Sequence, residues 1–312
     1  MADTCPLEGG CACGRVRYRL QTGPLVVHCC HCHWCQRESG AAFALNAMIE
    51  SERVVVTGVQ PEIVDTPSAS GEGQQVARCP QCRVAVWSHY ASAGPLISFV
   101  RVGTLDQPAQ LPPDVHIFSA SRQPWVVVPE GEPAFPEYYD RERVWPAASL
   151  ERRNALLPAI EAYQSDLQRR QVVHTREIDA PRARVFAAFA DPAQLARWWG
   201  PAGFSSTFDR FEPWPGGRWI FTLHGPDGRD YANEVVFIDV TAPDHVRLQH
   251  IGGHWFELLI TFTDAGAGRT RVGWRQRFDS TEHCRRIASF VQEANEQNLD
   301  RLQAVVCGAG QN

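Results

Sequence analysis

The chain has 312 residues, 44% hydrophobic and 21% charged, with a formal net charge of −5. That length suggests two domains, each able to bury a core. The slight acidity, without a basic stripe, argues against nucleic acid or an anionic membrane surface as the main partner. All 30 basic residues are arginine, which excludes a lysine Schiff base and a phosphate-loop lysine. The opening MADTCPLEGG carries neither a charged nor an apolar leader, and no apolar run reaches the ~20 residues that cross a bilayer. A cytoplasmic protein with reduced thiols is therefore expected.

In chain order, the first 130 residues read as short strands broken by Gly, Pro and Ser. Val16-Arg17-Tyr18-Arg19-Leu20 alternates, and β-branched runs at 54–57 and 126–128 predict further strands. Prolines at 112, 113, 124, 129, 133 and 136 argue against long helices near the end of this half. Residues 149–170 predict a helix interrupted near Pro158 that joins the halves. The domain limits expected are 1–145, a helical linker over 146–170, and 171–312.

The second half predicts a strand at 172–178 and a helix over 181–199, with Pro181 in its first turn. Strands follow at 204–211, 217–223, 231–240, 246–250, 255–263 and 270–278. A final helix over 281–306 has Thr281 as N-cap, with Ile287, Val291, Ala294, Asn298 and Leu302 sharing one face. Six of the ten tryptophans fall in this half; they either line an apolar pocket or form its core, and core is the commoner role of such residues. His224, Tyr231, His254 and Asn298 are the polar candidates for such a pocket.

Nine of the eleven cysteines precede residue 83. Cys11 and Cys13 form C-x-C, Cys30, Cys32 and Cys35 form C-x-C-x-x-C, and Cys79 and Cys82 form C-x-x-C. Such spacings let neighbouring thiolates turn toward one ion without strain. The simplest pairing closes a tetrahedral site from Cys11, Cys13, Cys79 and Cys82. Cys30, Cys32 and Cys35 then remain for a second ion. Either its fourth position is open to an external thiol, or Cys29, His31 or His33 fills it and the site is structural. On an extended segment Cys29 points away from whatever Cys30 binds, and His31 and His33 have the same difficulty. Cys5 is read as a bystander, and Cys284 and Cys307 form no site.

The run Gly9-Gly10-Cys11-Ala12-Cys13-Gly14, then Cys30-His31-Cys32-His33-Trp34-Cys35-Gln36-Arg37 and Cys79-Pro80-Gln81-Cys82, resembles the glutathione-dependent formaldehyde-activating (centromere-protein-V-like) domain. Val102-Gly103-Thr104-Leu105-Asp106, His116-Ile117-Phe118 and Pro124-Trp125 continue the resemblance, which spans about residues 8–138. It implies a mainly-β domain with two zinc ions (Zn2+). One is structural, on Cys11, Cys13, Cys79 and Cys82; the other is catalytic, on Cys30, Cys32 and Cys35. The implied activity is that of a carbon–sulfur lyase joining a small thiol such as glutathione to a small carbonyl such as formaldehyde. Where the family usually has Gly, this chain has Arg83; a turn of positive φ costs Arg more than Gly, so a changed turn is expected there. Arg37 and Arg122 either meet a substrate carboxylate or sit in solvent or on a surface acid.

Residues 176–181, Val185-Phe186-Ala187-Ala188-Phe189 and Trp198-Trp199-Gly200-Pro201 resemble the START-like (SRPBCC) superfamily, nearest to the heat-shock-ATPase activator homologues. Pro215-Gly216-Gly217-Arg218-Trp219, His224-Gly225-Pro226-Asp227-Gly228 and Thr270-Arg271-Val272 extend this over about 172–306. It implies an α+β helix-grip fold, a curved antiparallel sheet around a long C-terminal helix, with a pocket for a hydrophobic ligand. Two rivals to the enzyme reading stay open. One is a non-catalytic protein with both zinc ions structural and a ligand in the second domain; the other is a module that contacts a chaperone-like partner.

Overall fold

The computed structural model describes residues 7–66, 68 and 73–308; Cys5 lies outside them. It divides into two compact units, Met1–Gln164 and Ser165–Asn312. Among the described residues no helix is long and apolar enough to cross a membrane.

The first unit is mainly β. Strands β1 (Leu7–Gly10), β2 (Arg17–Leu20) and β5 (Val54–Val56) form a three-stranded antiparallel sheet. The larger sheet contains β3 (Val26–Cys30), β4 (Ala44–Glu50), β6 (Glu62–Thr66), β7 (Gln74–Arg78), β8 (Ala85–Tyr90), β9 (Ile97–Arg101) and β10 (Val115–Ile117). Its order is β10-β3-β4-β9-β8-β7-β6, antiparallel except where β10 runs parallel to β3. A short helix, α1 (His33–Ser39), follows β3 directly and ends at Gly40 in the left-handed region, φ +68°, where glycine has no Cβ to clash. Helices α2 (Ala147–Ala155) and α3 (Leu157–Arg169) break at Leu156, two residues before Pro158. Ile160 of α3 packs with Trp145, Leu25, Ile97 and Val115 in a core of the first unit, so this part of the expected joining segment is built into that unit.

One expected strand is not formed. Residues 126–128 are irregular: Pro124 and Pro129 bracket them and donate no N–H, so this β-branched run cannot join a ladder from either end.

Among its described residues the second unit holds one antiparallel sheet and the helices packed on it. Its strands are β11 (Gln171–Ile178), β12 (Ser205–Phe211), β13 (Arg218–His224), β14 (Asp230–Thr241), β15 (His245–His250), β16 (Phe256–Gly266) and β17 (Arg269–Phe278), in the order β11-β17-β16-β15-β14-β13-β12. Bulges at Phe208/Arg210, Phe237/Asp239 and Asp264/Gly266 bend and twist their strands, giving the curved sheet that accompanies the long C-terminal helix, α6 (Thr281–Gly308). The helix expected over 181–199 is two, α4 (Arg182–Ala190) and α5 (Pro192–Trp198). Pro192 cannot continue the ladder of α4 and starts a new helix, which Asp191 caps by accepting from Ala193 N–H at 2.9 Å. The cap of α6 is Ser280, whose Oγ accepts from His283 N–H at 3.1 Å. Thr281 instead donates to Asp166.

The tryptophans of this half are chiefly core. Trp198, Trp199, Trp219 and Trp274 are buried with Phe221 and Phe262, whereas Trp214 is exposed. Val291, Asn298 and Leu302 of α6 are buried on the expected face.

Candidate metal centres and the cavity beside them

The first cluster is built by two turns. Gly10 leads into Cys11 where a Cβ would stand 2.4 Å from the Val16 carbonyl, so only glycine lets the chain close on itself there. The Cys11 amide then donates to Val16 O, and the Val16 amide donates to Cys11 Sγ at 3.3 Å. In the second turn Arg83 N–H donates to Cys79 O at 3.0 Å, with Arg83 at φ +61°. The changed turn expected from Arg83 is not found. The left-handed conformation is kept, and an ion pair from Arg83 to Glu62 and a bond from Arg78 to the Arg83 carbonyl surround it.

The Sγ atoms of Cys11, Cys13, Cys79 and Cys82 lie within 4.8 Å of one another, with Cys11–Cys13 at 3.5 Å and Cys13–Cys79 at 3.6 Å. Four sulfurs around a tetrahedral zinc with ~2.3 Å bonds stand about 3.8 Å apart, so this donor set fits the ion.

The second cluster follows from strand alternation. On β3, His28 and Cys30 share one face and Cys29 has the other. Antiparallel pairing puts Asn46 opposite His28, and Phe99 opposite Met48 one strand further on. On the first face Cys30 meets Cys32 and Cys35, brought round by α1, and the three Sγ atoms lie within 4.8 Å of one another. Cys32 is the N-cap of α1, its Sγ accepting from Cys35 N–H at 3.3 Å. As thiols the three share protons: Cys30 and Cys35 donate to Cys32, which holds the Cys32 thiol far below its ordinary value and raises the other two. A cation would relieve that crowding, and three sulfurs fit zinc with one position left over.

The opposite face of β3 carries a third group. Cys29, His31 and His116 are all buried, and their Sγ and ring nitrogens also cluster within 4.8 Å. His31 Nε2 and His116 Nδ1 are 2.9 Å apart, with ring centroids 5.3 Å apart and planes 15° apart. The rings are thus nearly coplanar and in line, the geometry of an N–H···N hydrogen bond. A tetrahedral zinc between two imidazoles needs nitrogens about 3.3 Å apart and lone pairs that converge at an angle. A shared proton fits this group better than a metal. His116 Nε2 passes the chain on to Glu132 at 2.8 Å. Cys29 and His31 therefore stand apart from the Cys30 cluster, and His33 is exposed at the start of α1.

A cavity of about 590 Å³ opens on Cys30, Cys32 and Cys35. Alternation explains most of its wall: His28, Cys30, Asn46, Phe99, Tyr90 and Ile117 come from one face of the large sheet, joined by Trp34, Phe118 and Tyr138. Phe118 has φ +53°, unusual for an aromatic residue and frequent at functional sites. Burial pushes His28 down to about 4. Trp145 donates to the Tyr139 oxygen at 2.6 Å, and Tyr139 meets His28 Nε2 at 2.6 Å. Where Tyr139 donates to Nε2, the neutral imidazole carries its proton on Nδ1. Asn46 Oδ1 accepts from Arg101, leaving its amide N–H pair as donor. Of these wall residues, only the cysteines were candidate site residues in the sequence, while Trp34, Ile117 and Phe118 lie in the motifs of the resemblance. The i, i+2 spacing of His28 and Cys30 was the one local signal.

Arg37 is exposed, and Arg122 gives its guanidinium to the Val126 carbonyl; neither lines the cavity. In the second unit, an apolar cavity of about 200 Å³ is lined by Phe186, Phe189, Phe211, Trp219, Phe237 and Leu248 among others. His224, Tyr231, His254 and Asn298 are not among its lining residues. Asn298 Oδ1 instead accepts from Gly200 N–H.

A mainly-β unit with two thiol clusters, joined to a helix-grip unit, is the class of protein these features define. Residues 6–121 match the family model for the glutathione-dependent formaldehyde-activating enzyme, and residues 179–306 match that for activator of Hsp90 ATPase homolog 1-like protein. The chain joins a domain of the first family to a domain of the second. A protein of Halomonas elongata described as a putative glutathione-dependent formaldehyde-activating enzyme is 26% identical over 131 residues, covering 40% of this chain and 83% of its own. Among solved structures, a protein from Arthrobacter aurescens is 26% identical, covering 46% of this chain and 89% of its own with a TM-score of 0.43. The AHSA1 protein of Silicibacter pomeroyi is 19% identical, covering 45% and 99% with a TM-score of 0.38.

Proposed function

We propose that the first domain is a carbon–sulfur lyase that joins a thiol to a small aldehyde at the Cys30 cluster, or reverses that addition. The observation that carries this is the set of three converging sulfurs, short of a full tetrahedron, on the wall of a cavity. The family description, which names glutathione and formaldehyde, supports the same chemistry. Zinc held by Cys30, Cys32 and Cys35 would supply the positive charge that lets a fourth, external thiol lose its proton near neutral pH.

The chain's own residues do the rest. Cys32, fixed at the start of α1, holds the cluster in place between β3 and the helix. Asn46 Nδ2 and His28 Nδ1, opposite each other on β4 and β3, are the donors assigned to the carbonyl oxygen, where charge develops during addition. The aromatic wall keeps water from competing with the thiol. The step balances as R–SH plus R′–CHO giving R–S–CH(OH)–R′: the sulfur lone pair forms the S–C bond, the C=O π pair moves to oxygen, and oxygen takes up a proton. No oxidant is needed. Cys11, Cys13, Cys79 and Cys82 are assigned a structural zinc, giving two ions per chain.

The direct experiment replaces Cys32 with Ser. Folding, followed by far-UV circular dichroism, should be retained, one zinc should be lost, and turnover of thiol and aldehyde above the uncatalysed background should fall at least 100-fold. Unchanged turnover in Cys32→Ser would overturn the assignment.

A further inference from the structure

We infer that the thiol accepted at the Cys30 cluster is an uncharged one with an aromatic body, in place of a charged peptide thiol such as glutathione. This rests on the thiol–carbonyl reading above. The cavity measures about 590 Å³, within the usual range for small-molecule sites. Formaldehyde, with two heavy atoms, fills little of it, so the thiol has to supply the bulk.

The wall is matched to an aromatic guest. Trp34, Tyr90, Phe99, Phe118 and Tyr138 all contribute to it. Tyr90 and Phe99 meet edge to face at 4.8 Å, and Phe118 and Tyr138 are a tilted pair at 6.4 Å. Aromatic groups prefer such edge and offset contacts, each worth about 0.5–1.5 kcal/mol beyond buried area.

No arginine, aspartate or glutamate is among the described lining residues. Of the cations around the wall, Arg101 already serves Glu38, Asn46 and Ser88, and Glu38 is shared with Arg78. Arg141 and Arg153 lie near the Tyr138 phenol but outside the lining. Glutathione carries two carboxylates and an ammonium. Seated with its sulfur at Cys30, it would bring those charges against described lining residues that offer no charged side chain of their own, and an unpaired charge moved out of water is costly. A benzyl group in the same place loses nothing of that kind and gains ring contacts.

The test uses the full zinc-loaded chain with formaldehyde held constant and compares phenylmethanethiol with glutathione. We expect kcat/KM above background to favour phenylmethanethiol at least tenfold. In the cobalt-substituted protein, the sulfur-to-cobalt absorption should respond to phenylmethanethiol at a concentration at least tenfold lower than to glutathione. Phe118→Leu, which keeps an apolar wall and should retain the metal, should reduce both ratios at least threefold. Equal or better performance by glutathione in both measurements overturns the inference while leaving the thiol–carbonyl reading intact. If neither thiol is turned over and neither perturbs the cobalt spectrum, the underlying reading itself is overturned.

Discussion

The two units each enclose a cavity, and the cavities differ in kind. That of the second unit, about 200 Å³ between Trp219, Phe237 and the helices α4 and α5, is apolar throughout and smaller than the ~300 Å³ at which ligand pockets usually begin. That of the first unit is about 590 Å³ and has three thiols, an amide and an imidazole on its wall. Both are rich in aromatic rings. Only the larger one has groups that can hold a metal or donate to an oxygen, and they come from adjacent strands whose alternation aims them at one spot. An aromatic wall provides shape; the chemistry resides in the few donors set into it.

That contrast can be broken most severely at the structural cluster. Metal sites of this type contribute on the order of 10 kcal/mol or more to folding in small zinc peptides, comparable to the whole stability of a domain. Cys79→Ser is expected to abolish cooperative folding of the first unit while the second still melts as a unit, as followed by calorimetry. Two intact transitions in that variant would show the cluster to be dispensable.

A smaller effect is expected at Glu50. Its carboxylate is 4% exposed and takes two bonds from Arg152, at 2.8 and 2.5 Å. Burial pushes the Glu50 pKa up, but the Arg152 bonds outweigh it and hold the group below its ordinary value. A carboxylate held low in the folded state stabilises it fully above the unfolded value of ~4.3, and that contribution fades as pH falls through the lowered folded value. Arg152→Met should cost about 1–3 kcal/mol at pH 7 by leaving the buried carboxylate with Arg53, 3.2 Å away, as its remaining counter-charge, and less as the solution is acidified toward pH 3. A cost independent of pH would contradict the assignment.

The smallest effect is at the second turn of the structural cluster. Arg83 occupies a left-handed conformation that disfavours side chains by ~1–2 kcal/mol, partly offset by its ion pair with Glu62. Arg83→Gly should raise stability by about 1 kcal/mol in chemical denaturation without changing the metal count. A loss of stability would mean that the ion pair outweighs the backbone.

What could be read from the chain follows the range of the interactions involved. The C-x-C and C-x-x-C spacings are local, so the cysteines that cluster were legible, and so was the separation of Cys29 from Cys30 across an extended strand. Pro192 splitting a helix and Ser280 replacing Thr281 as the cap of α6 are local too, and a closer reading of the Asp-Pro and Ser-Thr pairs would have caught both. The run at 126–128 misled because β-branched composition outweighed its flanking prolines. Asn46, Tyr90, Phe99 and Tyr138 carry no motif. They meet because sheet order places β4, β9 and β8 side by side, and that order depends on pairings distant in sequence.

The central claim is that one zinc is held by only three side chains and keeps a place for an outside sulfur. Zinc-edge X-ray absorption on the full chain tests it most directly. The account predicts two zinc ions per chain, one with four sulfur neighbours and one with three, a mean of about 3.5, rising toward four when excess thiol is added. Four protein donors on each ion from the outset, with no change on adding thiol, would contradict it.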